Sequence, residues 1–429
     1  MKILVVSATP WNTNNSFGNS YANIFGGMEN CDFANVYCME GLVNDPTVSR
    51  AFKIAPKALL KNLMDGRTAT GIEVPVTADV GTGEHYTDTD KKLLHFARTH
   101  RWKILFWAQN ALWRLGRWNS PALQSFVNDF MPDMMFCPIY ANPYMNRIVL
   151  KIQNQLQVPV VGYISDDNYT LRHFSLSPLY WVDRLLFRNL VKKVIDRCEI
   201  LYVISTIQKQ EYDQIFHKDC RILTKGIDFT KEKPEGKISA PPYHMVFAGN
   251  IGANRWKSLA LIGKVIQRLN KNEIKIDLTI YTATPLTNKM NEKLNIPHCI
   301  SVAGQIPYRE VAQKQAEADI LVHVEATDLI YRWGSHHGFS TKLVDYMASN
   351  RAILAYGLDD QASIAHLKKH RAAMVASSPQ ELEAILSDVI KHPHLLQEYS
   401  NRAWQCGVEH HDLKKFHEML QQDFNEVIV

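Results

Sequence analysis

Three short stretches of this chain collect the residue types that hold phosphate and sugar. In the first, His336, His337 and Gly338 lead through Phe339 into Ser340, Thr341 and Lys342. Ser340 or Thr341 can cap a helix, and Leu343, Val344, Met347 and Ala348 follow at helical spacing. Asn350 suits a left-handed helix end, and 352–356 is an apolar run of strand length. Free backbone N–H groups, hydroxyls and the Lys342 ammonium at a helix start favour an anion, most often a phosphate. Asp345, one turn beyond Thr341, is placed to accept hydrogen bonds from a sugar ring. In the second stretch, 249–257, Gly249 and Gly252 permit close backbone approach beside Asn250, while Arg255 and Lys257 bring two cations to a helix start. Paired cations there neutralise a diphosphate. The third, Ser165-Asp166-Asp167-Asn168, ends an apolar run over 159–164. Adjacent carboxylates can bind a metal, but along an extended segment they diverge, so no metal is expected. Together the three stretches imply a site for a nucleotide-linked sugar.

Such loops need strands and helices to hold them. In the second half, expected strands at 245–249, 276–282, 299–304, 319–325, 352–356 and 372–377 alternate with helices at 257–269, from 308, near 361–370 and at 379–390. That alternation implies right-handed βαβ units and a parallel, doubly wound sheet. The first half repeats the rhythm with longer insertions, its strands expected at 3–7, 34–38, 134–137, 159–164, 200–205 and 221–224. Between Gly226 and Met245 lies a charged, Pro-rich tract without periodicity, the best interdomain linker. A chain of 429 residues suits two domains of about 200 residues each. Two such domains set their C-terminal strand ends, and so their ligand loops, at a shared cleft.

Residues 337–348 resemble the donor-site signature of retaining GT-B glycosyltransferases, family 4 in particular. There a Glu, a Gly-Phe-Gly turn and a second Glu precede Ala-Met-Ala. Here His337 stands at the first Glu, Gly338-Phe339-Ser340 matches the turn, Asp345 takes the second Glu's place one methylene shorter, and Tyr346-Met347-Ala348 follows in register. The loop 249–257 is similar to the family's Gly-Arg-Leu and Lys-Gly pattern, with Asn250 in place of its Arg and Arg255 on its Lys. Gly304-Gln305-Ile306 resembles a turn that meets the nucleotide base, and 224–228 is similar to the family's Asn-Gly-Val-Asp. After the first strand, Gly18 and Asn19 fall on the acceptor side, where the family has two or more glycines. Ser165 or Asp166 takes the place of a His that touches the sugar, with Asp167 beside it.

The resemblance implies an α/β GT-B architecture: two doubly wound Rossmann-like parallel-sheet domains facing across a cleft. Residues 1–235 would form the acceptor-side domain, 236–410 the donor-binding domain, and 411–429 a helix crossing back to the first. It further implies retaining transfer of a sugar from a nucleoside diphosphate donor, UDP-linked, to a saccharide or lipid-linked saccharide, without cofactor or metal. Gly249, Asn250, Arg255, Lys257, Ile306, Ser340, Thr341, Lys342 and Asp345 would hold the donor, and Asp166 and His337 would orient the migrating sugar. His337 can equally be an exposed loop histidine, and with His336 it lacks a third ligand at zinc spacing. An epimerase-type GT-B enzyme and a non-catalytic nucleotide-sugar binder are the alternatives.

Composition excludes several other classes. A hydrophobic content of 46% with 21% charged residues is that of a globular protein. A net charge of +5 lacks the concentrated basic field of a nucleic-acid binder. Seven scattered cysteines without a Cys-x-x-Cys pair read as reduced thiols of a cytoplasmic protein. The N-terminus reads as a first strand rather than a signal peptide, and no window is apolar enough to span a membrane. In 98–118, Trp102, Trp107, Trp113 and Trp118 interleave with Arg101, Lys103, Arg114 and Arg117. That stretch reads as a peripheral contact with an anionic membrane, or as a core helix with inward tryptophans.

Overall fold

The computed structural model describes residues 1–13, 16–77, 103–173, 175–237 and 240–428. The strands of the first domain are β1 (Lys2–Ser7), β2 (Asp32–Tyr37), β3 (Val48–Ile54), β4 (Gly71–Val74), β5 (Met134–Pro138), β6 (Val160–Ile164), β7 (Cys198–Val203) and β8 (Arg221–Ile222), the central ones largely apolar runs. They make one sheet in the order β4-β3-β2-β1-β5-β6-β7-β8, parallel except where β4 runs against β3. In β1, Leu4 and Val6 enter the core on one face and Ile3 and Val5 that on the other. A strand covered on both faces must be apolar throughout, which is why this run was so legible. β3 and β4 lie outside the expected strands. Ser49, Arg50 and Lys53 interrupt the apolar pattern of β3 towards the sheet edge, and β4 has four residues.

The second sheet comprises β9 (Tyr243–Ala248), β10 (Ile276–Tyr281), β11 (Ile300–Gly304), β12 (Ile320–Val324), β13 (Ala352–Tyr356) and β14 (Met374–Ala376), all parallel, in the order β11-β10-β9-β12-β13-β14. The chain winds outward from β9 to β11, then returns to the other side of β9 at β12. β9 and β12 pair through Ile320 with Met245 and Leu321 with Val246, near their starts. Beyond those pairs no ladder joins their C-terminal ends, the switch point at which an open α/β sheet has its ligand crevice.

The chain ends on the first domain. Leu420 and Phe424 of helix Leu413–Ile428 are fully buried among Ile3, Val5 and Phe25. Asp423 on the same helix accepts a hydrogen bond from Tyr202 and pairs with Arg221. Helix Lys103–Leu115 turns Trp113 inward, where it stacks on Tyr144 at 4.6 Å. Trp118 packs partly buried on the same core, while Trp107 is exposed and donates to Asp183. Trp113 and Trp118 thus follow the inward reading of this stretch and Trp107 the outward one, because an amphipathic helix needs large apolar groups for its inner face. Arg101 and Trp102 lie outside the described residues. Among the described residues no helix is long and apolar enough to cross a membrane.

Candidate functional site

The crevice between β9 and β12 is lined by Gly249 after β9, Arg255 at the start of helix Arg255–Leu269, Glu325 after β12 and Lys342 at the start of helix Lys342–Ala348. Glu325 is 3% exposed and accepts from Arg255 Nε at 3.1 Å and Nη2 at 3.0 Å, with His323 Nε2 at 3.3 Å. Burial pushes its carboxyl up, but the nearby His323 imidazole and then Arg255 outweigh it and hold the pKa below the usual range. Ser258 Oγ donates to the Glu325 carbonyl at 2.8 Å, fixing the helix start to the strand end.

Lys342 donates from Nζ to the Ala248 carbonyl at 3.0 Å. A Cβ at position 249 would lie 1.9 Å from that ammonium, so glycine leaves the space it fills. The residue as a whole reaches solvent, yet its ammonium is tucked against protein. This desolvation first, and the Arg255 charge second, push its pKa down, with Asp345 and Glu325 opposing. Two cations repelling each other across a strand-end crevice are relieved by a dianion.

The remaining expected donor residues divide. Asn250 Oδ1 accepts from Gly252 N at 2.6 Å and Thr284 Oγ1 at 3.3 Å, so its side chain folds the loop. Lys257 is exposed two positions after Arg255, roughly 200° around the helix. The expected Arg255–Lys257 pair is therefore not formed, and Lys342 is the second cation at the crevice. The Ser340 amide donates to Ser363 Oγ at 3.0 Å, and exposed Thr341 precedes the helix without a side-chain capping bond. Asp345 pairs with Lys225, just beyond β8. Ile306 is half-buried after β11, the sheet's edge strand, two strands from β9.

Across from these, Asp166 ends β6 with an exposed side chain. Neighbouring protein, then the Asp167 charge, raise its pKa. Asp167 turns inward, its side chain 6% exposed. It accepts from Tyr169 N at 3.1 Å, Thr170 N at 2.8 Å and the Thr170 hydroxyl, and pairs with Arg184 at 3.4 Å. The two carboxylates diverge, and Asp167 shapes the turn 167–170 in place of the expected acceptor-side surface. Gly18 is buried where a Cβ would come 2.1 Å from the Asn12 carbonyl oxygen, with Asn19 exposed beside it.

The histidine pair lies between the domains. His337 is 1% exposed, with Nε2 2.9 Å from Glu211 Oε2 and Nδ1 3.9 Å from Asp167 Oδ1. Burial pushes its pKa down, opposed by those carboxylates. Its carbonyl accepts from Ser205 Oγ at 2.7 Å, the N-cap of helix Thr206–Phe216 that carries Glu211. His336 Nδ1 meets the Asp360 carbonyl, while its Nε2 lies 2.9 Å from Glu211 Oε1 and 2.7 Å from Arg172 Nη1. The loop position expected for His337, exposed or against a sugar, is enclosed instead, because this strap packs on a helix of the first domain. Glu211, Arg172 and Lys225 carried no local signal, since their partners lie 125, 164 and 120 residues away. Glu325 ends a readable strand, but its burial against Arg255 required the fold.

No family model and no curated protein matches the chain. Among solved structures, it is similar to a sucrose-phosphate synthase from Thermosynechococcus elongatus (TM-score 0.62, 9% identity, covering 99% of this chain and 98% of that one). It is also similar to HepE from Anabaena in complex with UDP (TM-score 0.59, 11% identity, 99% and 100% covered). A third is a UDP-forming α,α-trehalose-phosphate synthase from Burkholderia vietnamiensis (TM-score 0.57, 9% identity, 100% of both chains covered). With two parallel Rossmann-like sheets and these neighbours along almost its whole length, the chain has the GT-B fold.

Proposed function

We propose that this protein is a glycosyltransferase that moves a sugar, with retained configuration, from a nucleoside diphosphate donor to a saccharide or lipid-linked saccharide. UDP is the proposed carrier, since similar structures were solved with UDP and UDP-glucose. The observation that carries the reading is the placement of Arg255 and Lys342 at the adjoining ends of β9 and β12 in a GT-B fold, Arg255 bound to Glu325 after β12 and Lys342 to the Ala248 carbonyl at the end of β9. These cations and the loop after Gly249 would hold the diphosphate and stabilise the charge gained as the sugar–phosphate bond breaks. The acceptor hydroxyl bonds to the anomeric carbon and passes its proton to the departing phosphate. Asp166, across from the crevice, would orient the migrating sugar, and Asp345, on its Lys225 partner, the ribose.

The test is incubation of the protein with a panel of nucleotide sugars and saccharide acceptors, following nucleoside diphosphate release and the anomeric configuration of the product. Unchanged turnover in Lys342→Ala and Arg255→Ala would refute the site. A second reading, a binder of nucleotide sugar without turnover, is favoured by the enclosure of His337 between Glu211 and Asp167. Saturable UDP binding without release from any donor would establish that alternative.

A further inference from the structure

We propose that Glu211, His336 and His337 form a metal site joining the two domains, for a divalent transition-metal ion of the zinc class. One ligand atom from each lies within 4.8 Å of the others, the carboxylate from one domain and both imidazoles from the other. Each Nε2 is 2.9 Å from a Glu211 oxygen. Tetrahedral zinc with bonds of about 2.0–2.1 Å separates its ligand atoms by roughly 3.4 Å, so each 2.9 Å gap must open by about half an ångström, and any separation near the 4.8 Å limit must close by about 1.4 Å, to admit the ion.

The proton positions carry the inference further. The carbonyl of Asp360 can only accept, so His336 Nδ1 bears a proton towards it. Arg172 Nη1 can only donate, so His336 Nε2 offers it a lone pair. That lone pair also faces Glu211 Oε1, and a cation beside both relieves the repulsion. The Arg172 guanidinium, in contact with both, supplies that charge here. Its side chain is 45% exposed and can swing out to make way for a metal ion.

His337 repeats the pattern. If a neutral ring gives its proton to Glu211 through Nε2, Nδ1 is left buried, with no hydrogen-bond partner among the described residues, near the Asp167 carboxylate. A metal on Nε2 moves the proton to Nδ1 and turns that orphan into a donor towards Asp167. His336 then gives its Nδ1–H to the Asp360 carbonyl and its Nε2 to the ion, the outer-shell arrangement usual for metal-bound histidine, and His337 turns its Nδ1–H towards Asp167, 3.9 Å away. Imidazole and carboxylate together favour zinc and its neighbours over calcium or magnesium. Water completes the fourth position. The site rests on neither the donor crevice nor the proposed reaction.

The test uses the full-length protein, freed of metal with a chelator and titrated with Co2+ and Zn2+. One equivalent of Co2+ is expected to give a visible absorption band of tetrahedral intensity, displaced by Zn2+ and lost in His336→Ala and Glu211→Gln. Absence of stoichiometric binding, or an unchanged band in both variants, overturns the site. Should those variants fail to fold, Arg172→Ala decides, because removing the competing guanidinium must tighten metal binding. An unchanged Kd in that variant overturns the proposal as well.

Discussion

Lys342 and Gly249 share one small volume: the ammonium of the first occupies the space where a side chain on the second would begin, 1.9 Å from an ideal Cβ. Lysine and glycine arrive there from different strand-helix units, and the lysine is anchored on the Ala248 carbonyl. Gly249→Ala is therefore expected to displace the ammonium without unfolding the protein, since the far end of a flexible side chain can yield. Lys342→Ala removes one charge-assisted contact, worth roughly 2 kcal/mol or about thirtyfold in Kd for UDP. Isothermal titration of both variants checks this, and wild-type affinity in each would remove Lys342 from the site.

Glu325 pairs with Arg255 from a buried position. Glu325→Gln keeps the shape but leaves Arg255 without its counter-charge, an expected loss of about 2 kcal/mol in urea unfolding. Because the same change frees the guanidinium, affinity for a diphosphate should hold or rise while stability falls. A variant as stable as the parent would show that the pair contributes nothing net.

Acid should weaken the contact between the domains. His411, 2% exposed, bonds through Nδ1 to Thr224 and lies among His366, His370 and His410. Burial, then the charges of His410 and His370, lower its pKa to about 3. A group that stays neutral when folded but protonates near 6.5 when unfolded imposes no penalty above that pH. Between there and about 3 the unfolded chain binds the extra proton, so stability falls by roughly 1.4 kcal/mol per pH unit. His411→Gln should flatten the stability profile between pH 5 and 6.5, measured by denaturant unfolding at each pH, and a parallel profile would rule the residue out.

Phe424 is fully buried in the first domain although it lies five residues from the chain's last position. Phe424→Ala is expected to cost about 3–5 kcal/mol. Limited proteolysis should then find the first domain, rather than the second, the more readily cut. Equal protection of both domains would argue against a shared core.

Much of the architecture was legible because parallel strands covered on both faces must be apolar along their whole length. β13 stands at the very residues where the run 352–356 was read. Where one face meets polar surroundings, as in β3 with Ser49, Arg50 and Lys53, the apolar pattern blurs and the sequence carries no clear strand signal. Lys342 and Arg255 could be named as cations near strand ends. Their convergence could not, since it depends on β12 inserting beside β9 rather than beside β11.

By itself the sequence determined the strand-helix alternation, the glycine-bearing loops and the kinds of charged group those loops carry. These follow from local periodicity and backbone sterics. Tertiary structure decided which charges meet: Arg255 with Glu325 and Lys342 rather than Lys257, Asp345 with Lys225, and both histidines with Glu211. Partners more than a hundred residues apart, as Glu211 and the histidines are, leave no periodic trace. Only the packing of one domain on the other sets the distance between them.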